Sequence, residues 1–162
     1  MTSPTYGEVN LTKIADIIRE KVTATDDGSE FNLIIGTDSQ NFSDNKIVVV
    51  IALQHIGHGG LFFYETTRVR RIDNIKQKLI TETQMSLEFA SKLLEELDKQ
   101  FDTYGFDYTS RVNFSIHVDA GENGPTRKVI PEVVSYVKSC GFNVAVKPES
   151  FVASSIADKY SK

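Results

Sequence analysis

The sequence of 162 residues predicts one α/β domain: a five-stranded mixed sheet with helices on both faces and an extra N-terminal helix. Two patterns support this fold class. Three consecutive runs of β-forming residues are joined by short turns, and further strands then alternate with helical periods. Strands joined by short turns form an antiparallel meander, whereas a helix between two strands is typical of parallel pairing. The predicted order is helix, then β-β-β-α-β-α-β-α.

The first part of the chain contains the extra helix and the meander. Residues 1–10 are polar and are expected to be flexible, and residues 11–22 carry apolar side chains at helical spacing. The three strands of the meander are predicted over 31–37, 47–56 and 61–70. The first of them ends directly before Asp38.

Beyond residue 72, helices alternate with strands. The predicted elements are a helix over 73–100, a strand over 111–119, a helix ending near 140, a strand over 142–147 and a helix over 150–160. Pro131 either kinks the middle helix or lies near its start. Since no linker, repeat or low-complexity tract interrupts the chain, we expect a single domain over 1–162.

Composition limits the environment and the partners. One cysteine, Cys140, excludes an intrachain disulfide, and no basic leader or apolar run of membrane-spanning length is present. We therefore expect a cytoplasmic protein that does not bind membranes. The net charge of −4 is unusual for a protein that holds nucleic acid by charge alone. Nucleic-acid binding would require a local basic patch, metal ions or a partner.

Aspartates follow two of the predicted strands. Asp38 ends the first strand and Asp119 ends the fourth. Because aspartate is a poor β-former and costly to bury, we expect both at the sheet edge, facing solvent or a ligand. At the ends of neighbouring parallel strands the two carboxylates would repel each other, and a divalent cation relieves such repulsion.

The helices offer further acids. On the long helix, Glu82 falls at the border of the apolar face, whereas Glu88 points to solvent. Asp158 lies on the last helix and shares a polar stripe with Ser154. Each acid taken alone is also explained as a turn, cap or surface residue. The joint order, strand-end Asp, helix Glu, strand-end Asp and late-helix Asp, favours a shared site.

This order and topology resemble the ribonuclease H-like superfamily, in which four acids in these places bind two magnesium ions. Three segments resemble the poorly characterised bacterial YkuK-type family within it more closely. They are IGTDSQ (Ile35–Gln40), HVDAGENGPTRKVI (His117–Ile130) and KPESFVASSIADKYSK (Lys147–Lys162). The resemblance extends from about residue 32 to the end of the sequence.

The resemblance implies catalytic and metal-binding roles for four residues. Asp38 and Asp119 match the strand acids, Asp158 matches the last-helix acid, and Glu82 takes the helix position with Glu88 as a weaker contender. Oxygen ligands favour Mg²⁺ or Mn²⁺. The sequence lacks the basic protrusion and the late histidine of some ribonucleases H, which argues against cleavage of RNA–DNA hybrids specifically.

Other polar residues are candidates for substrate contact. The candidate substrate-binding residues are Ser39, Gln40, Thr126, Arg127, Lys128 and Ser154. A turn and a solvated helix start explain most of them equally well. Arg68, Arg70 and Arg71 form the densest basic cluster, and protection of an edge strand explains it better than contact with nucleic acid.

The leading functional hypothesis is a Mg²⁺- or Mn²⁺-dependent nuclease that hydrolyses phosphodiester bonds by a two-metal mechanism. The alternative is a catalytically silent module of the same fold that binds nucleic acid or a protein partner. A small ATP-handling protein ranks last, because the sequence has no glycine-rich phosphate loop. A homo-oligomer is compatible with the sequence.

Overall fold

The computed structural model describes residues 1–25, 28–40, 46–104, 108–121, 124–147 and 150. The strands are β1 (Thr2–Ser3), β2 (Gly7–Glu8), β3 (Phe31–Gln40), β4 (Lys46–His55), β5 (Gly59–Arg68), β6 (Val112–His117) and β7 (Asn143–Ala145). The helices are α1 (Leu11–Thr23), α2 (Ile75–Tyr104) and α3 (Ile130–Ser139). Among these described residues, no helix is long and apolar enough to cross a membrane.

The described strands form one mixed sheet in the order β2-β1-β5-β4-β3-β6-β7. β3, β4 and β5 are the predicted antiparallel meander, and β6 joins β3 in parallel, as does β7 to β6. The sheet has seven strands, so the prediction of five is wrong. The two extra strands, β1 and β2, lie in the segment expected to be flexible, and their two-residue length leaves no periodicity to detect.

Strand β3 continues past the position where the sequence predicts its end. Asp38 pairs with Val48, and the ladder with β4 extends to Gln40 opposite Lys46. The sequence prediction assumes that an aspartate ends a buried strand. Here β4 continues the backbone hydrogen bonds past Asp38, so β3 continues as well. Asp38 therefore lies inside a strand, whereas β6 ends at His117, two residues before Asp119.

The three described helices pack on one face of the sheet. Helix α1 begins after Asn10, whose side chain accepts a hydrogen bond from Lys13 N at 2.8 Å. Residues of α1, α2 and α3 join the inward side chains of the central strands in one core. They include Ile14, Ile18, Leu93, Leu97, Val133, Val137, Leu33, Ile35 and Ile51. Helices on both faces are thus not found within the described part of the chain, and the helix predicted over 150–160 lies almost wholly outside it.

Local signals determine several boundaries. Gly57 has a φ of +84° in the turn between β4 and β5, a conformation that side chains with a Cβ rarely adopt. Pro131 lies in the first turn of α3, where its missing N–H is not needed, so it starts the helix rather than kinking it. Gly141, with a φ of +88°, follows the end of α3 as predicted.

Candidate active site

A cavity of about 290 Å³ lies at the end of the sheet where β3 finishes. Four carboxylates line it: the predicted Asp38, Glu82 and Asp119, and also Asp73, which pairs with Arg71 at 2.7 Å. The remaining lining residues are Ile72, Ile75, Lys78, Leu79, Pro125 and Thr126. The cavity therefore combines acidic and apolar lining residues. We call it the acidic cavity.

The two aspartates reach the cavity from neighbouring parallel chain segments. Gly36 on β3 pairs with His117 on β6, and each aspartate follows its paired residue by two positions. Since side chains alternate along strands, this spacing directs both aspartates to the same side of the sheet. Asp38 is partly exposed, and the Asp119 side chain is 21% exposed.

Glu82 reaches the cavity from helix α2, which the sheet holds through a buried hydroxyl. Thr37 donates its Oγ1 hydrogen to the carbonyl oxygen of Glu82 at 2.8 Å, and Ser86 donates to Thr37 Oγ1 at 3.3 Å. Glu82 is only 6% exposed. Glu88 is exposed and pairs with Lys92 at 3.0 Å. The structure therefore places Glu82, and not Glu88, beside the aspartates.

A lysine already neutralises one of these carboxylates. Lys147 Nζ lies 2.6 Å from Asp119 Oδ1. That oxygen is buried and meets the ammonium as an ion pair without a well-aligned hydrogen bond. The backbone holds Lys147 in place, since its N–H donates to the carbonyl of Ala120 at 2.8 Å. A Cβ at Gly121 would lie 3.2 Å from Lys147 Cβ, so a larger residue there would require the lysine side chain to shift slightly.

His117 lies on the same side of the sheet, two residues before Asp119. Its side chain is buried, and desolvation lowers the pKa of the imidazole below its usual value. Within the described part of the structure, His117 Nδ1 has no hydrogen-bond partner. The imidazole is therefore neutral at physiological pH and adds no charge beneath the acids.

The remaining predicted residues fall into two groups. Thr126 lines the cavity, and Arg127 and Lys128 are exposed nearby on the segment that leads into α3. Asp158 and Ser154 lie outside the described residues, as do the side chains of Ser39 and Gln40. The structure thus brings three of the four predicted acids to one cavity.

The donor chemistry fits a hard divalent cation, because all three carboxylates offer oxygen. The described residues do not, however, include any three His, Cys, Asp or Glu side chains arranged closely enough to hold a metal ion. The ammonium group of Lys147 neutralises part of the negative charge that a metal ion would otherwise neutralise. Asp38, Glu82 and Asp119 are therefore suitable ligands by type and location, and a metal would require them to converge further.

Sequence reasoning missed several residues of the cavity. Lys78 lies four residues before Glu82 on α2, a spacing that places both on one side of a helix and that could have identified it. The apolar wall formed by Ile72, Ile75 and Pro125 comes from two loops and the first residue of α2, whose positions follow from tertiary packing. No sequence pattern marks such a wall.

Comparisons with known proteins agree with this fold. A family model described as Ribonuclease H-like matches residues 13–162. Among curated proteins, the uncharacterized protein YkuK of Bacillus subtilis (strain 168) is 32% identical over 146 residues, covering 85% of this chain and 83% of YkuK. A solved structure of the Mos1 transposase catalytic domain with raltegravir and Mg is 11% identical. It has a TM-score of 0.30 and covers 96% of this chain and 76% of that one. This last likeness is weak and carries no part of the functional argument.

Proposed function

The chain belongs to the ribonuclease H-like family, and from this premise we propose that it is a divalent-metal-dependent nuclease hydrolysing phosphodiester bonds of nucleic acid. The observation that carries the proposal is the acidic cavity, which Asp38, Glu82 and Asp119 all line at one end of the sheet. Carboxylates around one cavity repel one another, so a bound cation would stabilise this arrangement.

We propose Asp38, Glu82 and Asp119 as ligands of Mg²⁺ or Mn²⁺, with Asp158 as a fourth. The ions would offset the repulsion among the carboxylates and stabilise the charge that develops on a phosphodiester during hydrolysis. The hydroxyl of Thr37 holds α2 against β3, and this contact keeps Glu82 at a fixed distance from the aspartates.

The other lining residues would position the substrate. Lys78 and Lys147 carry the positive charge that attracts a phosphate beside the acids. Ile72, Ile75 and Pro125 give the cavity an apolar wall that suits a sugar or base. This combination of acids, cations and an apolar wall matches the parts of a nucleotide unit.

One observation favours the alternative of a silent binding module. Lys147 already neutralises Asp119, and the described carboxylates do not form a closed three-ligand group. A fold that binds nucleic acid without turnover would tolerate this arrangement. The two proposals differ in whether metal binds.

Calorimetric titration with Mg²⁺ and Mn²⁺ separates the two proposals. The variants are Asp38→Asn and Asp119→Asn, with Glu95→Gln as a control that removes one charge from the exposed surface of the same helix as Glu82. We expect binding in the wild type and the control, and its loss in both aspartate variants. Labelled RNA, DNA and hybrid duplexes are then screened for cleavage with the bound metal.

Two results would contradict the nuclease proposal. The first is wild-type protein that neither binds metal at millimolar concentration nor cleaves any labelled substrate. The second is cleavage that survives both aspartate substitutions, since that activity would arise elsewhere. The first result favours the binding module.

A further inference from the structure

Positive charge is concentrated at the mouth of the acidic cavity, although the chain as a whole is acidic. The segment from Arg68 to Lys78 connects β5 with α2 and contributes Ile72, Asp73, Ile75 and Lys78 to the cavity. It holds five of the 18 lysines and arginines of the chain and only one of its 22 acidic residues. The net charge of −4 therefore conceals a local basic surface beside the candidate active site.

Two cationic residues lie directly opposite each other on neighbouring strands. Lys46 on β4 pairs directly with Arg68 on β5. Like charges in directly opposed positions of an antiparallel pair are unfavourable for folding. Neither residue, nor the nearby Arg70, forms an ion pair with a carboxylate of the described residues, whereas Arg71 pairs with Asp73 at 2.7 Å. Within the described part of the chain this cation pair is thus uncompensated, and a bound anion would stabilise it.

The register places this pair beside Asp38. Asp38 opposes Val48, and Val48 is two residues from Lys46 on the same strand. Because side chains alternate, Asp38, Lys46 and Arg68 point to the same face of the sheet. Arg68 lies two strands from Asp38 and two residues further along, roughly 12 Å away. Val48, next to Asp38, is fully buried, whereas Lys46 is half-buried and Arg68 is exposed. An extended polyanion would therefore contact the two cations at their end of β4 and β5.

We propose that Lys46, Arg68 and Arg70, here called the basic strip, bind the phosphodiester backbone of a nucleic-acid strand and direct it into the acidic cavity. Lys78, which lines that cavity, continues the positive charge from the strip to the acids. That the nucleic-acid strand is directed into the acidic cavity rests on the proposed nuclease function, but its binding to the basic strip requires no metal. A flexible single strand suits the strip, because Ile75, exposed to 47% next to the cavity, offers an apolar contact for an unstacked base.

Protection of an edge strand is the competing explanation. Among the described strands, β1 pairs with β5 only at Thr2 opposite Tyr64, so none of them covers the Arg68 end of β5 on that side. A charge of either sign prevents two exposed edges from pairing. Reversal of the charge at Arg68 and Arg70 would therefore preserve edge protection while repelling phosphate, and this difference makes the two explanations separable.

The test measures binding of a fluorescein-labelled single-stranded 12-mer, as RNA and as DNA, to the full chain in EDTA. Fluorescence anisotropy compares the wild type with Arg68→Glu/Arg70→Glu. Lys99→Glu/Lys138→Glu is the matched control, with the same change in net charge on exposed helix positions. We expect the strip variant to lose at least tenfold in affinity. The slope of log K against log salt should fall by about 1.4, or 0.7 for each lost phosphate contact.

Several outcomes would contradict the proposal that the basic strip binds nucleic acid. They are wild-type affinity in the strip variant, equal losses in strip and control variants, or heparin binding as tightly as the oligonucleotide. If Arg68→Glu/Arg70→Glu does not fold, the milder Arg68→Gln/Arg70→Gln variant replaces it. We expect this variant to lose about half as much binding free energy. Because EDTA removes metal, a strip that binds nucleic acid without any cleavage or metal binding supports this inference and contradicts only the nuclease.

Discussion

The two ends of the central sheet use arginine in opposite ways. At the end where β3 begins, Arg111 donates to the carbonyl oxygens of Val22 at 3.0 Å and Ser29 at 3.1 Å, and to Thr25 Oγ1 at 2.7 Å. Its guanidinium also lies 5.8 Å from the ring centroid of Phe31. This arginine is fully engaged in holding the loop after α1 against the sheet.

At the other end, groups of like charge lie close together. Lys46 and Arg68 face each other, and Asp38 and Asp119 follow adjacent parallel segments. Lys147 compensates the charge of Asp119 through an ion pair. The comparison teaches that charge satisfied by hydrogen bonds stabilises the first end, whereas charge placed against like charge at the second end supports the proposal that a ligand binds there.

The largest expected effect comes from the engaged arginine. Arg111→Met removes three hydrogen bonds, those to Val22, Thr25 and Ser29. We expect a loss of about 2–4 kcal/mol in the free energy of unfolding, measured by denaturant titration. Arg68→Met, the matched substitution at the other end, should change it by less than about 0.5 kcal/mol. Equal losses in the two variants would remove the distinction between the ends.

Much of this asymmetry follows from the sequence. The β-forming runs and short turns predict the meander, and the helical period of α2 predicts that Glu82 faces the sheet while Glu88 faces solvent, as the structure shows. Asp38 and Asp119 are recognisable in the sequence because aspartate is rare in buried strands. The family resemblance based on these motifs is confirmed by the family match.

The rest depends on register and tertiary packing. The opposition of Lys46 and Arg68 requires the exact alignment of two ten-residue strands, which the apolar runs alone leave open by a residue or two. The ion pair between Lys147 and Asp119 joins residues 28 positions apart through the β6–β7 pairing. β1 and β2 are too short to carry any hydrophobic period.

The second prediction concerns Lys147. Lys147→Met removes the ammonium partner of Asp119, so a divalent cation no longer competes with an ammonium group for that carboxylate. A partly exposed ion pair contributes about 0.2–1 kcal/mol, which a metal binding to Asp119 must overcome in the wild type. Removal of this cost should raise the Mn²⁺ affinity measured by calorimetry by up to about fivefold. Lys138→Met, an equal charge change on the exposed surface of α3, should leave the affinity unchanged. A weaker Mn²⁺ affinity in Lys147→Met would show that the lysine supports the metal site.

The smallest effect is a pH dependence caused by His117. Burial lowers the pKa of this imidazole below its usual value of about 6.5. The unfolded chain therefore binds a proton more readily than the folded one, so stability is complete above about pH 6.5 and falls as the pH drops below it. His117→Gln should reduce this slope in denaturant titrations between pH 5 and 8 in EDTA. Identical slopes in both proteins would contradict the assignment.

The most direct test of the central claim, that the acidic cavity serves a ligand rather than the fold, is the stability of wild type and Asp119→Asn with and without Mn²⁺. In EDTA, we predict free energies of unfolding within about 1 kcal/mol of each other, because the substitution loses one ion pair but relieves repulsion. With Mn²⁺ at a hundred times its dissociation constant, the wild type should gain about 2.7 kcal/mol and the variant none. A variant that is much less stable in EDTA, together with no Mn²⁺ effect on the wild type, would show that Asp119 stabilises the fold instead.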